Sequence, residues 1–282
     1  MDTRNFLIIG QGDIGVAVTN TLVKDKCAVT GLARHQREHY ALDNKANFMQ
    51  QDALTLTVEQ LKGFTHLAVI VTPDDYSTSG YEDSYLAICQ HLGTLVDSLT
   101  QLERIVFISS TAVYGQDDGE WIDELTIPTA PKRDASKVIL QAERSLQESF
   151  GSKTVIIRPS GIYGRERLMR LKKVKETPKQ PVDAEQWTNR IMDCDLVNII
   201  VNVLTMHASQ ALKSLYIATD YRPVTTLELT IWLSEQLHEP LPEINNKTVI
   251  SGKRLHSNIP LAWLNYPDWQ TGYNDILQQQ DS

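Results

Sequence analysis

The sequence predicts an α/β chain, a doubly wound parallel sheet with a small C-terminal α/β lobe. Three observations predict it. Short apolar runs alternate with amphipathic stretches through the first 165 residues, the rhythm of strand and crossover helix. The runs HLAVIVT and RIVFIS are mostly apolar, which fits strands covered on both faces. The chain is 282 residues long and 41% hydrophobic, enough for a core of that type.

The first run, FLIIG, leads into Gly10-x-Gly12-x-x-Gly15, with a helix expected from Val16 to Lys24. Glycines there permit a tight turn and a close approach of backbone to a pyrophosphate. The helix start then offers free N–H groups and a positive dipole end. Gly10, Gly12, Asp13, Ile14 and Gly15 are therefore candidate dinucleotide-binding residues, and the sheet reads as Rossmann-type. Asp13 is expected to point away from the phosphates. A plain strand–helix turn is the alternative.

The second run, CAVTGLA, ends at Arg34, with Arg37 close behind. Sites for NAD usually carry an acid near this end, to hold the ribose 2′-OH. Here there is none, and a guanidinium suits a 2′-phosphate. NADP(H) is expected over NAD(H), with a solvated Arg34 as the alternative. The third run, NFMQQ, leads to Asp52 and Ala53, which are placed near the adenine. Asp52 could equally cap a helix. Thr57 to Lys62 reads as helical. The fourth run, HLAVIVT, leads to Thr72 and Pro73, which join the cofactor set, and then to a helix expected from Tyr81 to Leu99. The fifth, RIVFISS, brings Ser109 to the cofactor. A helix from Ser136 to Phe150 precedes the sixth, TVIIRPS.

After Gly164 the rhythm breaks. RERLMRLKKVKETPKQP is basic, DCDLVNIIVNVL reads as a buried helix and SLYIATD as a further strand. Residues 1–165, with 190–220 returning to them, are expected to form the dinucleotide domain. Residues 166–189 and 221–282 are expected to form a small substrate lobe of short helical pieces.

A net charge of -8 and a pI near 5.4 argue against nucleic acid and anionic membranes as partners. The run Phe6 to Ile9 is too short for a signal peptide, and no stretch approaches the ~20 apolar residues of a membrane span. Cys27, Cys89 and Cys194 show neither pairing nor metal spacing, so buried thiols in a reduced, cytoplasmic protein are expected. His35, His39, His66 and His91 are scattered, and no metal site is expected.

Three further motifs, with the glycine loop, carry a resemblance across nearly the whole chain. ISSTAVYG (108–115), RPSGIYG (158–164) and YPDWQTG (266–272) resemble those of the extended short-chain dehydrogenase/reductase family, of the NAD-dependent epimerase/dehydratase type. The resemblance implies that Ser110 binds a substrate oxygen, with Thr111 a second candidate. It implies that Lys137 holds the nicotinamide ribose, and that Pro159, Ser160 and Ile162 lie under the nicotinamide. Asn189 and Asp195 match a segment between lobes that usually has a histidine where Met192 stands. Family members often pair through the helices here near Tyr81–Leu99 and Ser136–Phe150, which makes a homodimer an expectation.

Two departures resemble the family's atypical branch. The glycine spacing is short, and the tyrosine of Tyr-x-x-x-Lys is Arg133. In the family that phenol moves a proton as hydride moves to or from the nicotinamide. A guanidinium stays protonated and only donates. Arg133 and Lys137 stand at i and i+4 on one helix face. Two cations there call for an anion: a ligand, or a carboxylate such as Asp134 or Glu120. Otherwise Arg133 swings into solvent. Tyr114 and Tyr163 are the nearest other phenols, both better read as packing aromatics.

Seven basic residues lie between Arg165 and Lys179, against only Glu166 and Glu176. They suit an anionic small-molecule substrate, or form a solvated segment. The expected function is an NAD(P)-dependent oxidoreductase or epimerase/dehydratase-like enzyme acting on a sugar-like substrate, with the diphosphate of a nucleotide sugar as one anionic candidate. The alternative is a catalytically inactive NADP(H)-binding redox sensor or scaffold.

Overall fold

The computed structural model describes residues 4–35, 41–207, 210–245 and 249–280. Arg37 and His39 lie outside the described residues. Seven strands form the main sheet: Asn5–Ile9, Ala28–Ala33, Asn47–Gln50, His66–Val69, Arg104–Ile108, Thr154–Pro159 and Leu215–Ala218. Numbered along the chain, their order is seventh, sixth, fifth, fourth, first, second, third. Neighbours run parallel, and the first strand pairs Phe6 with Val29 on one side and with His66 on the other. The order reverses between the first and fourth strands, and the crevice beyond their C-terminal ends is where such sheets take ligands.

Burial explains the strands. Phe6, Leu7 and Ile8 are fully buried, as are Ile105, Val106 and Phe107. Each such side chain contributes about 1.5–3 kcal/mol relative to exposure. Arg104 opens the fifth strand as a buried cation. Its guanidinium donates to the carbonyls of Val203, Leu204 and Met206, at the end of the helix Asp193–Thr205. Those carbonyls have no partner within their helix, so the charge is well placed.

The helix expected from Tyr81 to Leu99 begins earlier and is broken. Ser77 accepts a hydrogen bond from the Gly80 N–H at 3.1 Å and caps the turn Thr78–Tyr81. A π-helical turn follows at Glu82–Leu86, then α-helix at Ala87–Thr94 and a 3₁₀ turn at Val96–Ser98. The Ser84 hydroxyl donates back to the Gly80 carbonyl at 2.6 Å, a local bond that competes with the regular ladder. The helix Asp134–Phe150 stops at Gly151, whose φ of 54° is left-handed.

Contacts group the chain into two units. The first comprises Met1–Val113, Ala130–Arg158 and Val197–Tyr216, and the second Tyr114–Thr129, Pro159–Leu196 and Ile217–Ser282. In the second, helices Met169–Glu176, Thr226–Leu237 and Trp269–Gln280 enclose a core of Tyr163, Leu171, Leu229, Leu233, Trp269 and Tyr273. The latter two helices reach 12 residues, longer than the expected short pieces. Of the thiols only Cys89 is buried. Cys27 is half-buried and Cys194 exposed, which corrects the expectation of buried thiols.

Candidate functional site

The loop after the first strand gives each glycine a different physical reason. Gly10 has a φ of 96°, and a Cβ there would sit 2.0 Å from the Ile70 carbonyl oxygen. A Cβ on Gly15 would sit 1.9 Å from the Gly10 oxygen, so the helix Asp13–Lys24 can pack this closely only through glycine. Gly12 differs. Its φ is -80°, and a Cβ there would meet nothing within 4 Å. Neither strain nor crowding inside the protein requires glycine at 12. The open space above it suits a pyrophosphate approaching backbone at a helix start, so the residues fit the expected dinucleotide.

Asp13 and Ile14 begin the helix, Ile14 buried and Asp13 half-buried. Gln11, which sequence reasoning passed over, is buried and clamps the loop. Its amide donates to the Ile8 carbonyl at 3.0 Å and to the Thr19 hydroxyl at 3.1 Å. Its side chain fills the space a Cβ on Gly31 would take. A buried amide between two loop glycines was the available signal.

At the end of the second strand Arg34 is exposed and pairs with Asp74 at 2.5 Å. That pair holds its pKa above the usual range. Asp52 caps the 3₁₀ turn Ala53–Thr55 by accepting from the Leu54 N–H at 2.9 Å, with Ala53 buried behind it. Thr72 is exposed and Pro73 buried, on the segment leaving the fourth strand.

Ser109, Ser110 and Thr111 follow the end of the fifth strand. Ser109 is buried, and its hydroxyl donates to Glu143. Glu143 in turn receives Arg158 Nε at 2.9 Å and Nη2 at 2.5 Å, a buried bidentate pair. Sequence reasoning missed this brace, which ties the fifth strand, the sixth strand and the helix Asp134–Phe150. Ser110 is half-buried, and its hydroxyl accepts from the Ala112 N–H at 3.1 Å. Thr111 begins a 3₁₀ turn that packs on the same helix. Arg133 is the exposed residue just before that helix. Lys137, one turn in, is also exposed and pairs with Asp134 at 2.7 Å. The pair holds the Asp134 carboxyl below its ordinary value.

In the second unit Pro159 and Ser160 are buried and Ile162 half-buried. Tyr114 and Tyr163 are both buried packing aromatics, Tyr163 stacking on Tyr273 with centroids 4.5 Å apart. Burial pushes the Tyr163 phenol well above its usual range. Asp195 accepts from the N–H groups of Asn265 and Tyr266, and Asn189 bridges Lys253 and Leu255, so both hold loops. The basic segment forms the helix Met169–Glu176, and with Thr226–Leu237 it borders a cleft lined by Arg170, Lys173, Lys179, Thr177 and Gln180.

The model of the NAD dependent epimerase/dehydratase family matches residues 6–181, more than half of the chain. The chain belongs to that family. A solved structure from Methylobacillus flagellatus, provisionally described as an NAD-dependent epimerase/dehydratase, is 28% identical over the full length of both chains, with a TM-score of 0.79. UDP-glucuronic acid 4-epimerase from Bacillus cereus, solved with NAD, is 15% identical, with a TM-score of 0.75 over 99% of this chain and 100% of that one. A functionally unknown conserved protein from Silicibacter pomeroyi is 21% identical, with a TM-score of 0.74 over 99% of both chains. The last two likenesses are of fold. No curated protein matches the sequence.

Proposed function

We propose that the protein is an NAD(P)-dependent oxidoreductase or epimerase/dehydratase-like enzyme acting on a sugar-like substrate, with a nucleotide sugar the best fit. The observation that carries this is the open face of Gly12 between two glycines that the fold itself requires. A dinucleotide is what such a loop accommodates. When bound, it would give or accept a hydride. Ser110 would hold the substrate oxygen, and Lys137, released from Asp134, would hold the nicotinamide ribose. Pro159, Ser160 and Ile162 would flank the nicotinamide. The Arg170, Lys173 and Lys179 cleft offers three cations to a substrate anion. Two structurally similar enzymes, the Bacillus cereus epimerase and another solved with UDP-glucose, hold UDP-sugars together with NAD.

NADP(H) preference is part of the proposal. The exposed Arg34–Asp74 pair is worth about 0–1 kcal/mol. A charge-assisted bond to a 2′-phosphate is worth about 1.5–3 kcal/mol, so the phosphate would take the guanidinium from Asp74. Three cysteines with no disulfide between them favour a reducing compartment, the cytoplasm. The helices Ala87–Thr94 and Asp134–Phe150, which pack on each other, are the proposed homodimer face. No helix among the described residues is long and apolar enough to cross a membrane.

Arg133 favours a second reading, an NADP(H)-binding sensor or scaffold without turnover. NADPH oxidation against a panel of carbonyls and nucleotide sugars separates the two. The enzyme reading expects saturable turnover with at least one member. Tight NADPH binding with no oxidation by any member would establish the sensor.

A further inference from the structure

The family's phenol is absent at position 133, and Tyr114 and Tyr163 are buried in packing roles. Another phenol stands at the same edge. Tyr81 ends the short helix Thr78–Tyr81, which packs on the helix Asp134–Phe150. Its ring stacks on Tyr85, with centroids 5.5 Å apart and planes 17° apart. Tyr85 meets Phe107 of the fifth strand edge-on at 5.9 Å.

This stack fixes the height of Tyr81. In a parallel sheet the following helix starts at the strands' C-terminal edge and runs back down. Tyr85 is level with Phe107. Tyr81, four residues earlier, stands about 6 Å nearer that edge by the rise of a helix. Two or three residues along an extended strand cover about 7–10 Å. Tyr81 is therefore close to the level of Ser109, the residue before Ser110. The π-helical turn Glu82–Leu86 follows at once, a feature that concentrates at functional sites. Burial raises the Tyr81 phenol's pKa, Tyr76 adds to the rise, and the Arg133 charge opposes both. Tyr81 is half-buried, so its ring is held while part of it stays accessible.

We propose that Tyr81 supplies the phenol that position 133 lacks, hydrogen-bonding the substrate oxygen beside Ser110 and passing its proton to it. The proposal rests on the enzyme reading above. In the reductive direction the substrate carbonyl carbon accepts a hydride from the reduced nicotinamide, which is oxidised. A C–H bond forms, and the carbonyl π pair moves to oxygen. That oxygen takes the Tyr81 proton as an O–H bond. The phenolate left beside the Arg133 guanidinium then regains a proton from water. Arg133 becomes a positioning residue, a fixed cation that favours the phenolate.

The first test needs no turnover. Tyrosine labelled at Cζ with ¹³C is titrated in the free protein by NMR, and Tyr81→Phe identifies the Tyr81 resonance by its loss. Arg133→Gln is expected to raise the Tyr81 midpoint by ~0.5 unit or more. That shift reads the electrostatic link between the two side chains, and the second test reads the role of the phenol in turnover. The second test is NADPH oxidation with the best substrate of the panel. Tyr81→Phe removes one oxygen atom, and it is expected to lower kcat by ~10²-fold or more with the NADPH Kd unchanged. A midpoint indifferent to Arg133→Gln, or a kcat equal to wild type in Tyr81→Phe, overturns the assignment while leaving the enzyme reading intact. Wild-type protein that binds NADPH but oxidises it with no substrate overturns both. Wild-type protein that binds no dinucleotide overturns the enzyme reading at its root.

Discussion

Each unit buries an arginine and a carboxylate, and they end differently: Arg158 meets Glu143 in an ion pair, while Arg190 and Asp220 form none. Arg158 and Glu143 in the first unit are 6% and 1% exposed and meet through two short charge-assisted bonds, with Ser109 adding a third to the carboxylate. Arg190 and Asp220 in the second unit are 7% and 1% exposed, yet Arg190 Nε and Nη2 and Asp220 Oδ2 have no hydrogen-bond partner in the structure. Asp220 keeps one bond, from the Arg222 N–H at 3.1 Å. Burial therefore dominates, and its pKa is pushed up to about 8. A buried charge is tolerated when its hydrogen-bonding positions are met, and neutralised when they are not. In the first unit both oxygens of the Glu143 carboxylate are met. The second keeps polar capacity in reserve, and Ser160, Tyr163 and Trp269 each add a buried polar atom without a partner.

The largest expected effect breaks the Arg158–Glu143 pair. Glu143→Ala leaves Arg158 buried beside an empty place and should cost about 3–5 kcal/mol, read as a lower urea midpoint at unchanged m-value. A loss below about 1 kcal/mol would mean the brace is not what holds the fifth and sixth strands to their helix. Gly10→Ala should also be severe. It puts a Cβ 2.0 Å from the Ile70 oxygen at a φ of 96°, and a loss of about 3 kcal/mol is expected from strain of this type.

Asp220 should show itself through pH. The Asp220 carboxyl is protonated more readily in the folded chain than in the unfolded one. Between about pH 4 and 8 the folded state therefore binds more protons, and stability falls as pH rises through that window. Asp220→Asn mimics the neutral form and keeps an acceptor for the Arg222 N–H. Its stability relative to wild type should be greater at pH 8 than at pH 5, measured by urea unfolding. An identical difference at both values would mean that Asp220 is ionised throughout and that the two carboxylates are alike.

The sequence showed the frame because the frame is written in backbone terms. Apolar runs placed all seven strands, and the glycine spacing placed the loop. Gly12 was legible through that spacing alone, and that its neighbours need glycine while it does not shows only in the fold. The brace was hidden. Glu143 sits amid an amphipathic helix where a glutamate reads as solvated, and only the fold brings it to Arg158. Tyr81 was hidden too, because the π-helical turn that sets its direction has no periodic signature. Lys137 stands out in the sequence only through a resemblance, and Asp134, which it pairs with, was one of several carboxylates the sequence left open.

Smaller effects sharpen the claim that the first unit can change at its ligand face without losing its fold. Arg34→Asp should lower NADPH affinity by ~10- to 150-fold and leave NADH affinity within a few-fold, read by calorimetry. Equal affinities for both cofactors in wild type, unmoved by the substitution, would remove the 2′-phosphate from the account.

The central claim is that the Gly10–Gly15 loop takes a dinucleotide, and one titration tests it most directly. NADPH and NADH are titrated by calorimetry into wild type and Gly12→Val, with thermal unfolding of both proteins measured alongside. The account predicts saturable binding by wild type, none in Gly12→Val at the same concentrations, and unfolding midpoints within a few degrees, because nothing within 4 Å crowds that position. Binding undiminished in a folded Gly12→Val would contradict it.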